Sequence, residues 1–408
     1  MKNKQITILA TDFKPMTGGV AEYSFHLADN LYKQNLLYRV ITPVIQTKKY
    51  SFKVDAPQDF NWSKSLKNHF FLLSKFYSLL YLAQLRLIEV KNILQWLFNR
   101  RHTFLIVNWI ASPLAQRWIS ILQKLNLDYG IVLHGKDIIV ASKTDKHFFT
   151  HTCTKAKLLI FNSQATKKLF QELQPSIKTS HYILYPGINI NYLNQENLHS
   201  REDLEKFFNI SLQGKLIIST VSRLVKRKGI DLAIRAIEPI AKKNQDLIYI
   251  IMGDGNEYES LKALIASLGL ENQVKLVGNL TDREKLSLLK ISSIFIMPNH
   301  HQQGDDFEGF GISFIEASYF KNVVIGGCNG GVVEAIRDGD SGLLVDTKSV
   351  NVVKSIQEII RKLLSNPERI EQMAEWGHQY VIDNFQAPQL INNFAQYILD
   401  YSFESFKL

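Results

Sequence analysis

Leu216-Ile217-Ile218-Ser219-Thr220-Val221-Ser222-Arg223-Leu224-Val225-Lys226-Arg227-Lys228-Gly229 sets an apolar, β-branched run against a cationic turn that closes on glycine. The run at 216–221 has the length and composition of a strand, and a helical pattern begins at Ile230. Strand, polar turn and helix in that order are the repeating unit of an α/β sheet. The unit recurs along the chain. Runs at 247–252, 274–277, 294–297 and 323–326 read as further strands of the same sheet. Runs at 6–10, 38–42, 103–107, 129–133, 157–161 and 181–184 read as the strands of an earlier one. The predicted fold class is therefore α/β, with a doubly wound sheet in each half. Ligands of such sheets bind beyond the carboxyl ends of the strands. Gly18-Gly19, His134, Arg223, Gly253 and Glu308 each follow one of these runs.

The chemistry of two turns narrows the ligand. Arg223 and Lys228 can each reach a phosphate, the guanidinium as a two-pronged donor and the ammonium as a point charge. By itself a run of cations such as Lys226-Arg227-Lys228 also suits a solvated loop. The second turn is Glu308-Gly309-Phe310-Gly311-Ile312-Ser313-Phe314-Ile315-Glu316. Its glycines let the backbone bend and approach a ligand closely, and the N–H groups opening the helix that follows favour a diphosphate. Glu308 precedes that helix and Glu316 lies within it, where both carboxylates can accept hydrogen bonds from sugar hydroxyls. Read alone, this stretch is equally a tight strand-to-helix turn.

Together the two turns resemble the motifs of the family 4 retaining glycosyltransferases. The resemblance spans most of the chain. It takes in Thr17-Gly18-Gly19-Val20, His134-Gly135-Lys136-Asp137, Tyr185-Pro186-Gly187-Ile188-Asn189, Gly253-Asp254-Gly255, Val277-Gly278, Gly330-Gly331-Val332-Val333-Glu334, and Asp338-Gly339 with Gly342-Leu343-Leu344-Val345. It implies the GT-B architecture, two facing Rossmann-like domains with parallel sheets and an interdomain cleft. It also assigns roles. Glu316 would bind the ribose hydroxyls of the nucleotide, and Glu308 a hydroxyl of the donor sugar. Arg223 and Lys228 would stabilise the departing diphosphate, with Gly18 and Gly253 in the donor loops. The backbone N–H groups of Gly19, Phe310, Gly311 and Ile312 would help, since negative charge grows on the leaving group. His134 would touch the donor sugar, although a lone His after a strand also fits a packed or surface residue. No metal or other cofactor is expected. Transfer would retain the anomeric configuration, by a front-face process. Asn189 and Pro298-Asn299 depart from the residues usual in the family, and the context of Phe307 to Gly311 leans toward enzymes that use GDP-mannose. His300, His301, Asp305 and Asp306 precede Glu308 without any fixed metal-ligand spacing.

Composition agrees with two domains. The 408 residues, 46% of them hydrophobic, exceed what one core usually serves. The expected boundaries give an acceptor-binding domain at 1–188, a nucleotide-sugar domain at 189–385, and a C-terminal helix at 386–408 that in this family would cross back to the first domain. Two cysteines, Cys153 and Cys328, make a disulfide framework improbable, and the N-terminus shows a short strand rather than a signal core. A cytoplasmic location is expected.

Charge is uneven. Residues 1–190 hold 25 Lys and Arg against 10 Asp and Glu, a net of +15, leaving −5 for the remainder. Within them, 61–101 carries Lys64, Lys67, Lys75, Arg86, Lys91, Arg100 and Arg101 among many aromatics such as Trp62, Phe70, Tyr81 and Trp96, with Glu89 as its one acid. Its apolar pieces are too short to span a bilayer. A basic aromatic helix can lie on an anionic membrane surface, or simply pack on its own sheet. Nucleic acid is not expected, because no zinc-finger spacing, RNA-binding signature or helix-turn-helix pattern is present. The expected partners are a nucleotide-sugar donor, a glycan or glycolipid acceptor, and a membrane surface. The expected activity is hexosyl transfer in cell-surface polysaccharide, glycolipid or lipopolysaccharide synthesis. The alternatives are an epimerase or phosphorylase of the same architecture, or a non-catalytic nucleotide-sugar-binding subunit.

Overall fold

A computed structural model describes residues 5–16, 18–44, 49–57, 71–98, 103–194, 197–300 and 307–404. The chain forms two compact units, Met1–Gly187 with Ala387–Leu408, and Ile188–Gln386.

In the first unit the strands are β1 (Gln5–Ala10), β2 (Leu37–Ile41), β3 (Val54–Asp55), β4 (Thr103–Asn108), β5 (Tyr129–Leu133), β6 (Leu158–Phe161) and β7 (His181–Ile183). They pair in the order β3-β2-β1-β4-β5-β6-β7, every pair parallel. The central pair runs in register from Gln5 opposite Thr103 to Ala10 opposite Asn108. Strand side chains alternate between faces, so Ile6, Ile8 and Ile106 join one core while Leu9, Leu105 and Val107 join the other. Leu27 and Leu31 of the helix Gly19–Lys33 close the first core, together with Ile391, Phe394 and Ile398 of the C-terminal helix Ala387–Glu404. Trp118, Ile119 and Leu122 of the helix Pro113–Lys124 close the second. Strand β3 was not expected, since two residues at a sheet edge carry no periodic pattern.

In the second unit the strands are β8 (Leu216–Val221), β9 (Leu247–Met252), β10 (Val274–Gly278), β11 (Ile294–Met297), β12 (Val323–Gly327) and β13 (Gly342–Val345). Their order, all parallel, is β10-β9-β8-β11-β12-β13. Strand β13 was also not expected. It opens on Gly342, where a Cβ would lie 2.5 Å from the Val324 side chain, so only glycine admits the neighbouring strand. The helix Ile230–Ala241 buries Ile230, Ala233, Ile234, Ile237 and Ala241, the spacing of one helix face, against Ile356 and Ile360 of the helix Val352–Leu364.

Both sheets run outward in two directions from a central pair, β1 beside β4 and β8 beside β11. At such a reversal of strand order the two flanking connections leave in opposite directions and open a crevice at the carboxyl ends. In the second unit the loops bordering it are those that carry Arg223 to Gly229 and Glu308.

Candidate active site

The loops after β8 and β11 are held to each other by backbone. The Arg227 carbonyl accepts the His300 N–H at 2.9 Å. Gly229 lies in the left-handed region at φ 64°, and a Cβ there would sit 2.2 Å from the Pro298 carbonyl oxygen. Between them Lys226–Lys228 forms one 3-10 turn. Three residues per turn spread these side chains around the axis. Lys226 points out to Asp231, 2.6 Å away, while Arg227 and Lys228 are buried.

Glu308 receives both buried cations. Its Oε2 accepts Lys228 Nζ at 2.7 Å and also accepts Arg227 Nη1. Burial alone would raise the Glu308 carboxyl, but the adjacent Lys228 and Arg227 charges outweigh it and hold it down to about 2. Burial pushes the Lys228 ammonium below its ordinary value, against the pull of Glu308. The acid therefore stays ionised throughout the neutral range. Glu308 is closed onto two cations, and the guanidinium that reaches it is that of Arg227. Arg223 is exposed, though its charge reaches Lys228.

Glycines fix the backbone of Glu308 from behind. The Gly331 N–H donates to the Glu308 carbonyl at 2.9 Å, and a Cβ on Gly330 would lie 2.2 Å from that same oxygen. Gly311, at φ 93°, caps the helix Ile312–Tyr319, while the Phe310 ring is buried edge-on to Phe385. Glu316, one turn into that helix, accepts Lys285 Nζ at 2.8 Å from the helix Asp282–Ile291. Gly253, at φ 145°, leaves room for the Ser222 carbonyl, which a Cβ would approach to 1.8 Å. The loop at 253–255 is thereby seated against the start of the cationic turn, where the Leu224 N–H donates to the Asp254 carbonyl at 2.8 Å.

The first unit gathers its own set at the ends of β1, β4 and β5. Gly18, at φ 134°, precedes the helix that begins with Gly19. Ser24 on that helix accepts a hydrogen bond from Asn108 Nδ2, and Asn108 Oδ1 lies 2.5 Å from His134 Nε2. Tyr23 on the same helix meets the His134 ring edge-on at 5.1 Å. Complete burial drives the imidazole down to about 3, so it is neutral, and its Nε2–H donates to Asn108. Asp137 Oδ1 accepts the N–H groups of His134, Gly135 and Ile138, fixing the turn after β5. Burial pushes the Asp137 carboxyl up to about 7 despite those bonds. Trp109 follows Asn108 at φ 66°, a region bulky residues rarely occupy.

Of the expected residues, the second unit brings Lys228 and Glu308 into direct contact, with Arg223 beside them. Gly253, Phe310, Gly311 and Ile312 shape the loops around them. In the first unit Gly18, Gly19 and His134 converge through Tyr23, Ser24 and Asn108. Arg227, Lys285 and Asn108 were not singled out in the sequence. Asn108 alone had a usable signal there, a polar residue closing an apolar strand. His301, Asp305 and Asp306 lie outside the described residues. Among the described residues no three His, Cys, Asp or Glu side chains gather as metal ligands.

Two units, each a parallel sheet of Rossmann strand order, give this chain the fold of the GT-B structures. Residues 201–380, which lie within the second unit, match the family described as glycosyl transferases group 1. A similar protein is the GDP-mannose-dependent alpha-(1-6)-phosphatidylinositol monomannoside mannosyltransferase of Mycolicibacterium smegmatis. It is 28% identical over 233 residues, which cover 57% of this chain and 59% of that protein. The match thus spans about three-fifths of that relative's length. Among solved structures, Anabaena HepE in complex with UDP and glucose superimposes with a TM-score of 0.70 at 18% identity, covering 97% of this chain and 99% of that one. A glycosyltransferase from Rickettsia africae gives 0.72 at 18% identity, covering 98% and 99%.

Proposed function

We propose that this protein is a retaining hexosyltransferase that moves a hexose from a nucleotide-sugar to a lipid-linked or cell-surface glycan acceptor. The observation that carries the reading is the buried Arg227–Glu308–Lys228 cluster at the β8/β11 reversal. A diphosphate entering there competes with Glu308 for Lys228. The exchange leaves the ammonium on the leaving group and frees the carboxylate to accept a hydroxyl of the donor sugar. Arg223, exposed at the same turn, supplies a second cation. The N-terminus of the helix Ile312–Tyr319 adds its partial positive charge. These groups act where negative charge develops, which is where preorganised donors accelerate a reaction most. They also support departure of the diphosphate without a metal ion.

The same cluster bears on stereochemistry. A carboxylate held down to about 2 is a weak base at neutral pH, and Glu316 is engaged by Lys285. Neither is arranged as the general base of an inverting enzyme. Retention, with the acceptor proton passing to a phosphate oxygen of the donor, suits the site better. GDP-mannose and a phosphoinositide glycolipid are named for the Mycolicibacterium relative, and UDP with glucose for the Anabaena structure. We favour GDP-mannose as donor and a glycolipid acceptor at the cytoplasmic face of a membrane.

The decisive experiment is a thermal-shift series with UDP, GDP, ADP and their hexose conjugates, with and without EDTA, since a ligand of the native state raises its melting temperature. Stabilisation by one nucleotide that survives EDTA, together with sugar transfer to a lipid extract, is the expected result. No shift with any nucleotide overturns the donor site. A shift without transfer to any acceptor or water points to a binding subunit.

A further inference from the structure

The helix Phe71–Phe98 in the first unit leaves part of its apolar surface exposed. Toward its own sheet it turns Glu89 and Asn92, both buried, beside Trp96. Outward it presents two adjoining rows at four-residue spacing, Leu82, Arg86, Val90 and Leu94, then Ala83, Leu87 and Lys91, all exposed. Leu87 is 71% exposed and the other three large apolar residues about half. The cause lies in what the sheet offers. Arg39 on β2 is completely buried and takes Asp55 at 2.6 Å and Asn92 Oδ1 at 2.8 Å. Glu89 takes Arg117 through both carboxylate oxygens at 2.9 and 2.8 Å. The helix is thus held by these polar groups together with Trp96, Ile88 and Ile93, and Leu82, Leu87 and Leu94 are left in water.

The charge around the rows is one-sided. Glu89 is shared by Arg86 and Arg117, and Asp55 by Arg39 and Lys91. Two carboxylates facing four cations leave the region positive, within a segment of net charge +15. Exposed apolar side chains bordered by cations suit an anionic lipid surface, which takes the leucines into its acyl boundary and the cations at its headgroups. A second copy of this chain fits less well, because a two-fold contact would set positive face against positive face.

We infer that the Leu82–Leu94 face of this helix is the docking surface of the protein on anionic membranes. This inference refines the location of the partner surface. Of the aromatic side chains expected to make the contact, Trp96 is buried and the Tyr81 hydroxyl donates to the Pro43 carbonyl at 2.7 Å. Trp62, Phe70, Lys64, Lys67, Arg100 and Arg101 lie outside the described residues. Among the described residues no helix is long and apolar enough to cross a membrane, so the contact is peripheral. The inference rests on the lipid-linked acceptor reading for its purpose only.

Co-sedimentation with vesicles tests it without donor or acceptor. The full chain is expected to bind phosphatidylglycerol-containing vesicles, more weakly as salt rises, and not phosphatidylcholine alone. The double variant Leu87→Glu/Leu94→Glu is expected to lose tenfold or more in vesicle affinity with its melting temperature unchanged, and Leu87→Ser/Leu94→Ser to lose affinity less. Failure of the parent protein to bind the anionic vesicles, or equal binding by the double variant, overturns the inference. So does a dimer in light scattering that the same substitutions dissociate. Nucleotide-induced thermal shifts in both proteins report the donor site separately.

Discussion

Glu308 is the shared counter-ion of two buried cations, Arg227 and Lys228. Replacing it by Gln leaves Arg227 and Lys228 buried without a counter-ion, a change that typically costs about 3–5 kcal/mol. Urea denaturation of Glu308→Gln at pH 7 should show a loss of that order. The pH dependence has a fixed sign. Because the folded-state carboxyl is depressed from 4.5 to about 2, its contribution is complete above 4.5 and is lost as pH falls through 2. The parent protein should therefore weaken across that window more steeply than the Gln variant, and parallel curves would exclude the assignment. Arg223→Ala should lower transfer turnover more than nucleotide affinity, since the growing charge of the leaving group is what it meets. Asp137 offers a second residue-scale check. Alanine there strands three buried N–H donors and should cost about 3 kcal/mol, whereas Asn keeps an acceptor and should cost far less. Chemical denaturation of the pair separates the two outcomes.

At the scale of elements, the glycines divide by what surrounds them. Gly18 and Gly253 both need positive φ, yet a Cβ at Gly18 meets nothing within 4 Å while one at Gly253 collides with the Ser222 carbonyl. Gly18→Ala should cost only the backbone strain, about 1–2 kcal/mol. Gly253→Ala should cost more than that, because the loop at 253–255 must withdraw from the cationic turn. The second change is expected to weaken nucleotide binding as well, readable as a smaller thermal shift. Gly253→Ala with parental stability and binding would show that the two loops are not seated as described. The strands themselves were readable in the sequence because parallel strands buried on both faces are near-continuous apolar runs. Strands β3 and β13 escaped that reading, one for brevity and the other because Gly342 breaks the run.

At the scale of the whole molecule, the C-terminal helix is the element whose sequence position and spatial position differ most. It follows the second unit in the chain and belongs to the first, where Ile391, Phe394 and Ile398 complete a core with Ile6, Ile8 and Leu31. Ending the chain after Gln386 removes three large buried side chains, each contributing roughly 1.5–3 kcal/mol by burial. The truncated protein should lose the first unit to proteolysis while residues 188–386 persist as a resistant fragment, as mass spectrometry of the digest would show. Equal resistance of both units would mean that the helix contributes little to that core.

Local pattern was sufficient for the strand–turn–helix repeat, the Rossmann character of both halves and the concentration of cations, glycines and carboxylates at 223–229 and 308–316. Those features arise from apolar runs, glycines and charges adjacent in the chain. The partners of the charges were not readable that way. Arg227 rather than Arg223 reaches Glu308 because a single 3-10 turn sets the direction of each side chain. Lys285 meets Glu316 across 31 residues because two helices happen to pack. Leu82, Leu87 and Leu94 of the helix Phe71–Phe98 face outward while a buried Arg39 on a neighbouring strand holds Asn92 inward. Each depends on where a distant element stands, and side-chain direction follows that placement rather than the order of residues.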